Sequence, residues 1–87
     1  MISKSNFELA IPMLQWQLKQ RGEIKPLKQE KWDTYAGWNK RGKFISSGSE
    51  GYRVELVVPY KSYDTEKKPK TEFALRNKVL FSEDQTC

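Results

Sequence analysis

The apolar period of this chain changes to two at Tyr52-Arg53-Val54-Glu55-Leu56-Val57-Val58-Pro59. Every second residue from Tyr52 to Val58 is large and apolar, and Arg53 and Glu55 lie between them. This alternation predicts a strand that is buried on one face. Because proline lacks the N–H that a central strand donates, Pro59 is predicted to end it.

The residues on both sides of this strand predict a small antiparallel sheet. Before it, residues 44–45 are predicted to be a short strand and residues 46–51 a turn rich in Ser and Gly. After it, residues 60–70 are predicted to be a polar loop, and Thr71, Phe73 and Leu75 to point one way on the next strand. Asn77 is interpreted as a bulge or tight turn before a last strand at residues 79–81.

The first part of the chain has helical spacing instead. One apolar stripe predicts a helix over about residues 5–20, and it consists of Phe7, Ala10, Ile11, Leu14 and Leu18. Ser5 and Glu8 fit a capping box at its start. Pro12 is expected to kink or divide the helix, and Gly22 to end it.

A second, shorter helix is predicted over about residues 34–41, with Asp33 as its N-cap and Gly42 after its last turn. The whole pattern predicts an α+β fold: two N-terminal helices followed by a small antiparallel sheet of three to four strands. With 87 residues there is room for one hydrophobic core, so residues 1–87 are predicted to be a single domain.

The composition excludes several classes of site. The chain has no histidine, and its one cysteine is Cys87. A His-based triad, a zinc site built on His or Cys, and a disulfide framework within the chain are therefore excluded. Glu83 and Asp84 are a carboxylate pair, but neighbours on a strand point to opposite sides. We expect no enzymatic activity, no cofactor and no metal.

The sequence shows no targeting or membrane segment. Its first residues lack the uninterrupted apolar run of a signal peptide, and nothing approaches the roughly 18 apolar residues of a membrane span. One terminal thiol without a partner is typical of a reducing compartment. We expect the protein to act in the cytoplasm of a host cell.

All of the net positive charge falls in one segment. Residues 19–43 hold eight basic and three acidic residues, a net +5 that equals the charge of the whole chain. Aromatic residues lie among them, and single-strand binding surfaces combine cations for phosphates with flat rings for bases. The predicted nucleic-acid-binding residues are Lys25, Lys28, Lys31, Trp32, Tyr35, Lys40, Arg41, Lys43 and Lys61.

Other interpretations of these residues stay open. Aromatic residues are usually buried, so at least two of Trp32, Tyr35 and Trp38 are expected in the core. The lysines can equally form a solvated surface, and cations in the last turn of a helix suit its dipole. The lysine-rich residues 60–70 are a second candidate for tracking a phosphate backbone, although an ordinary exposed connection explains them better.

The first helix carries a second apolar face, formed by Leu9, Met13 and Trp16. A fold that covers both sides of the helix explains it by burial. The alternative is a surface that binds a partner protein or a second copy of the chain.

Two stretches carry a family resemblance. Residues 38–51 read Trp-Asn-Lys-Arg-Gly-Lys-Phe-Ile-Ser-Ser-Gly-Ser-Glu-Gly and lead into the strand that reaches Pro59, and residues 79–86 read Val-Leu-Phe-Ser-Glu-Asp-Gln-Thr. In order and spacing the chain resembles the N-terminal domain of ArdC-type antirestriction proteins, which plasmids and phages carry. That family shows an aromatic-bearing helix, a glycine turn, a strand reaching a proline, and a closing strand with a Gln-Thr pair. The resemblance covers residues 32–59 and 73–86.

The departures from that family limit what the resemblance implies. The family's arginine is Lys43 here, and its lysine-rich turn is Ser47-Gly48-Ser49-Glu50, so phosphate binding at this turn does not carry over. The family's metallopeptidase-like domain needs a His-Glu-x-x-His helix, and this chain has no histidine. What the resemblance implies is binding of DNA, single-stranded especially, and protection of a mobile element from host nucleases.

The leading hypothesis is therefore a small phage- or plasmid-type protein that binds single-stranded DNA and counteracts host restriction or a related defence. The rival is a protein-binding inhibitor that occupies a host nuclease or CRISPR effector directly. It would use the face of Leu9, Met13 and Trp16 together with Glu50 and the Glu83-Asp84 pair. A third hypothesis is a homodimer formed through Trp16, with no nucleic-acid role.

Overall fold

The computed structural model describes residues 2–63 and 68–87, and in them the fold is α+β, as predicted. Its elements are α1 (Lys4–Arg21), β1 (Trp32–Thr34), α2 (Tyr35–Lys40), β2 (Tyr52–Tyr63) and β3 (Pro69–Ser82), with short 3-10 turns at Gln29–Lys31 and Glu83–Gln85. The strands form one antiparallel sheet in the order β1-β3-β2. The three strands agree with the prediction, but β1 precedes α2, so the helices are not both N-terminal to the sheet.

Helix α1 forms where the apolar stripe predicts it, with a different N-terminal cap. The hydroxyl of Ser3 accepts a hydrogen bond from the Asn6 N–H at 3.3 Å, so the predicted capping box at Ser5 is wrong. The helix runs unbroken through Pro12, which lies on its exposed side. There, water can solvate the carbonyl that proline leaves without a donor. Gly22 ends the helix at φ 65°, a conformation in which glycine carries no steric penalty.

The core lies between α1 and one face of the sheet. From the helix it contains the predicted stripe residues Phe7, Ala10, Leu14 and Leu18; from the sheet it contains Trp32, Tyr52, Val54, Leu56 and Leu80. The period of two in the β2 sequence is thus confirmed. It places Tyr52, Val54 and Leu56 under the helix and Arg53 and Glu55 outside.

Strand β2 does not end at Pro59, and this is the largest difference from the predicted fold. It continues to Tyr63, and Pro59 pairs with Phe73 of β3. Val57, two residues earlier, directs its N–H and C=O toward α1 and away from β3. Pro59 therefore occupies the same outward position, where a missing N–H removes no hydrogen bond of the sheet.

Residues 60–63 and 69–70 consequently belong to strands and not to the predicted loop, of which residues 64–67 lie outside the described residues. The predicted bulge at Asn77 is also wrong, because the β2–β3 register runs through the pair Glu55–Asn77 without interruption. Residues 44–45 do not form a strand; Ile45 makes one isolated bridge to Thr86. Thr34, not Asp33, caps α2, since its hydroxyl accepts from the Gly37 N–H at 3.0 Å.

Candidate nucleic-acid interface

Acidic side chains from the end of the chain and from β1 pair with half of the basic residues in the 19–43 segment. The Lys25 amine lies 2.8 Å from the Asp84 carboxylate and 3.1 Å from the Ser82 hydroxyl, and its side chain is only 9% exposed. Lys31 and Lys43 both reach Glu83, at 3.2 and 3.8 Å.

Arg41 is held in the same way. Its guanidinium lies 3.0 Å from the carboxylate of the buried Asp33, donates to the Glu30 carbonyl at 2.9 Å, and stacks over Trp38. The charges of Lys25, Lys31, Arg41 and Lys43 are therefore largely neutralised within the molecule.

Two of the three aromatic residues in this segment are buried, as the core interpretation predicts. Trp38 is fully buried and its indole N–H donates to the Phe81 carbonyl at 2.8 Å. Trp32 is also fully buried, in the main core, so its prediction as a base-stacking residue is wrong. Tyr35 remains on the surface, 57% exposed. The predicted residues that stay exposed are Tyr35, Lys28, Lys40 and Lys61, and Lys61 belongs to β2, far along the chain from the others.

The pKa values of Glu83 and Asp84 are lower than those of free carboxylates. The hydrogen bond from Lys31 is the main cause that lowers the pKa of Glu83. Burial works against ionisation of Asp84, but hydrogen bonds from Lys25 and Ser82 outweigh it and lower the pKa of Asp84. For Lys25, the partner of Asp84, burial disfavours the charged amine. The hydrogen bond to Asp84 outweighs burial and raises the pKa of Lys25. Both acids and Lys25 are thus charged at neutral pH.

We expect the free energy of unfolding to fall on acidification because of these two carboxylates. A lowered folded-state pKa stabilises the fold fully above the ordinary values of 4.5 for Glu83 and 3.8 for Asp84, and this contribution is lost as the pH falls through the lower folded-state values. Lys25 affects stability at alkaline pH, since its contribution to the free energy of unfolding is lost only as the pH rises through a raised pKa above 10.5. Melting temperatures measured from about pH 7 to about pH 2 test this. The variant carrying Glu83→Gln and Asp84→Asn should have a flatter acid limb, and an unchanged slope would contradict the assignment.

A different set of cations lies on the long hairpin of β2 and β3. Opposite residues of an antiparallel pair point to the same side of the sheet, and the register pairs Tyr60 with Glu72, Leu56 with Arg76, and Val54 with Lys78. Lys70, two residues from Glu72, shares that side. We call Tyr60, Lys70, Arg76 and Lys78 the basic face, and all four are exposed. It lies on the hairpin arm, which comprises residues 57–63 and 68–78 of the described chain.

Glu72 is the one acidic residue on the basic face among the described residues of the arm. It accepts from the Tyr60 hydroxyl at 2.6 Å and lies 2.8 Å from the Lys70 amine. The hydrogen bond from Lys70 is the main cause that lowers the pKa of Glu72, and the bond to Glu72 raises the pKa of Tyr60. The guanidinium of Arg76 lies 6.0 Å from the Tyr60 ring centre. Glu72 therefore orients Tyr60 and Lys70 while leaving Arg76 and Lys78 unneutralised.

The opposite side of the hairpin carries several apolar side chains among polar ones such as Lys61 and Asn77. Val57, Phe73, Leu75 and Val79 share it, and Phe73 and Leu75 are 67% and 58% exposed. We call these four residues the apolar face. Most exposed apolar side chains on a small protein are scattered singly, so three exposed ones on one side of a ribbon (Phe73, Leu75 and Val79) indicate a contact surface.

The sequence contains a pattern that predicts the basic face, although the prediction of a loop over residues 60–70 leaves it unused. Lys70, Glu72, Arg76 and Lys78 recur at even numbers, with Thr71, Phe73 and Leu75 between them. That is the period of an amphipathic strand with charges on one side. Pro59 and the lysine-rich composition made the segment resemble a loop, and only the register with β2 identifies its sides.

Only part of the second apolar face of α1 is buried in the structure. Leu9 and Trp16 are exposed, Trp16 by 64%. Met13 is partly buried and its sulfur accepts from the Glu55 N–H at 3.4 Å. Trp16 and Met13 line a shallow groove with Pro12, Gln17 and Arg53. Burial by the fold thus explains Met13 but not Leu9 or Trp16.

Residues 2–63 and 68–87 contain no group of three or more Cys, Asp or Glu side chains that could hold a metal ion. Neither α1 nor α2 is long and apolar enough to cross a membrane. Comparison of the chain with protein-family models, with curated proteins and with solved structures gave no match. The resemblance to ArdC-type domains therefore stays a prediction.

Proposed function

We propose that this protein binds single-stranded DNA through the basic face of its hairpin arm. The observation that carries the proposal is the register of β2 and β3, which brings Lys70, Arg76 and Lys78 to one side of an exposed ribbon with Tyr60. The closeness of basic and aromatic residues along the chain favours residues 19–43 as the DNA-binding surface. In the structure, however, carboxylates pair with half of the basic residues in that segment.

The arm has the dimensions and chemistry of a single-strand platform. Same-side residues on a strand are about 6.8 Å apart, so Lys70 and Lys78 lie about 27 Å from each other, the length of several nucleotides. Cations along such a line neutralise successive phosphates. Tyr60 and the Arg76 guanidinium offer flat surfaces on which bases stack irrespective of sequence.

The biological role that we propose follows the resemblance to antirestriction domains. A small protein that coats single-stranded DNA of a phage or plasmid can shield it from host restriction or a related defence. The proposed activity is binding and not catalysis, and the proposed place of action is the host cytoplasm.

A salt titration tests the proposal. Three cations that each neutralise one phosphate predict a slope of about −2 when the logarithm of the association constant is plotted against that of the salt concentration. Labelled single-stranded and duplex oligonucleotides should be titrated between about 50 and about 200 mM salt, with tighter binding expected for the single strand. No binding, or a slope near zero, contradicts the proposal, and preference for the duplex contradicts the choice of ligand.

A second candidate function is inhibition of a host nuclease or CRISPR effector by direct binding. One observation favours it: Leu9 and Trp16 remain exposed on α1 beside a shallow groove. Tryptophan side chains are frequent anchors of protein interfaces. It predicts no DNA binding in the salt titration and a complex with a defence enzyme that Trp16→Ala disrupts.

A further inference from the structure

The two edges of the β2–β3 ribbon differ in how their outward backbone groups are used. On the β2 edge, side chains of α1 occupy these groups. The Asn6 amide pairs with both the N–H and the C=O of Val57, at 3.0 and 2.9 Å. The Gln17 amide pairs in the same way with Arg53, at 3.0 and 2.7 Å. Helix α1 therefore closes this part of the β2 edge to a further strand.

The β3 edge has no such cover over residues 73–77. Phe73, Leu75 and Asn77 lie opposite outward-facing residues of β2, so their own N–H and C=O groups also point away from β2. Within the described chain, the hydrogen bond made by these groups is one from the Arg76 side chain to the Leu75 carbonyl, at 3.1 Å. No proline interrupts the strand from residue 70 to residue 82. The edge is thus a template for a further strand.

The neighbouring elements limit how long that strand can be. Strand β1 pairs with β3 from Leu80 to Ser82, and α2 begins at Tyr35, directly after β1. The place beside Val79 is therefore where the chain turns into α2, and an added strand has to end before it. A second copy of β3 centred on the open residues would run past this point, since β3 has 14 residues. The occupant that fits is a short extended segment opposite residues 73–77.

We propose that a short peptide segment of a partner protein adds to this edge as an antiparallel strand, with acidic residues on the side of the basic face and apolar residues on the other side. The partner residues opposite Phe73, Leu75 and Asn77 each exchange N–H and C=O groups with the residue they face, which gives about six backbone hydrogen bonds. The added strand extends the sheet in line with β1, which is also antiparallel to β3.

The acidic residues follow from the cations beside the edge. Arg76 and Lys78 are exposed on the basic face, and a partner residue opposite Arg76 lies diagonal to Lys78, so one carboxylate is within reach of both. The Arg76 guanidinium now donates to the Leu75 carbonyl, and a carboxylate is a stronger acceptor than a carbonyl. An acidic side chain therefore pairs with the cation and frees the Leu75 carbonyl for the added strand.

The apolar residues follow from the other side of the ribbon. Phe73 and Leu75 are 67% and 58% exposed, and the partner residues that face them point to the same side. Apolar side chains at those positions cover part of this exposed surface. Because successive residues of a strand alternate between its two sides, the partner segment alternates acidic and apolar residues.

The test uses the full chain without nucleic acid, so its outcome does not depend on the proposed DNA binding. The probe is a labelled, end-capped peptide Val-Glu-Val-Glu-Val, which places Val opposite residues 73, 75 and 77. The control Val-Lys-Val-Lys-Val reverses the charge, and N-methylation of the central Val of the probe removes a donor to β3 while keeping every side chain. Fluorescence anisotropy should show saturable binding of the probe, and each control should bind about tenfold more weakly or worse.

Amide hydrogen exchange and a charge reversal locate the contact. Saturating probe should slow exchange of the N–H groups of Phe73, Leu75 and Asn77 by about tenfold or more. The N–H groups of Ala74 and Arg76 point toward β2 and should change much less, which makes them an internal control. Arg76→Glu should reverse the preference between the Glu and Lys peptides, a result that loss of folding cannot produce.

Several results would overturn the proposal. One is no binding of the probe at about 1 mM. Another is equal binding of the N-methylated peptide, because the backbone of the edge would then take no part. Loss of binding in Trp16→Ala would place the peptide in the groove of α1. Slowed exchange at Phe73, Leu75 and Asn77 on raising the protein concentration without peptide would make a second copy the occupant.

Discussion

Reversing the charge of the basic face is expected to weaken single-stranded DNA binding by on the order of 100-fold or more. The variant carries Lys70→Glu, Arg76→Glu and Lys78→Glu. Because phosphate contacts supply nearly all of a sequence-independent affinity, three cations turned into anions replace attraction by repulsion along the whole face. The measurement is fluorescence anisotropy with a labelled oligonucleotide at low salt.

The matched control reverses three other exposed lysines, Lys19, Lys28 and Lys40. It changes the net charge by the same amount and leaves the arm intact. None of the three lysines belongs to the basic face, and salt screens the long-range part of their attraction, so we expect this variant to lose less than about threefold in affinity. If the control loses affinity and the arm variant keeps it, the interface belongs to the 19–43 segment and our assignment to the arm is wrong.

The largest expected effect on stability is that of Trp32→Ala. Trp32 is fully buried, its indole N–H donates to the Pro26 carbonyl at 2.8 Å, and its ring packs edge-on against Tyr52 with 5.1 Å between ring centres. Truncating a buried tryptophan costs about 3–5 kcal/mol, which is a large fraction of the stability of a small domain. Urea unfolding followed by far-ultraviolet circular dichroism gives the free energy of unfolding.

Two companion variants keep this prediction testable if the alanine variant does not fold. Trp32→Phe retains an aromatic ring but leaves the Pro26 carbonyl without its donor, and we expect a loss of about 1–3 kcal/mol. Trp16→Ala removes an exposed ring, 64% exposed, and should change stability by less than about 0.5 kcal/mol. Equal effects of Trp16→Ala and Trp32→Phe would contradict the burial on which the prediction rests.

The prediction of the fold succeeded where structure depends on neighbours along the chain. The stripe of Phe7, Ala10, Leu14 and Leu18 recurs at helical spacing, and it is the stripe that the core buries. The alternation from Tyr52 to Leu56 identified the buried side of β2 for the same reason. Periodicity is a local property, so it can be read without knowing what the segment packs against.

Pro59 shows where local reasoning fails. A proline ends a strand only if its nitrogen faces a neighbouring strand, and at position 59 it faces outward. Which way it faces depends on the pairing with Phe73, fourteen residues later. Ending the strand at Pro59 assigns residues 60–63 and 68–70 of the arm to a loop, so the prediction misses the side that Tyr60 and Lys70 share with Arg76 and Lys78.

The sequence by itself determined the α+β class and the absence of histidine from any site in this chain, because composition and period are properties of the chain alone. Only the tertiary structure decided which cations are available. Lys25 finds Asp84, 59 residues away, and Lys31 finds Glu83, 52 residues away, whereas Arg76 and Lys78 meet no carboxylate on their side of the described arm. Electrostatic neutralisation depends on distance in space, since the interaction between charges falls with their separation and with screening by water and salt.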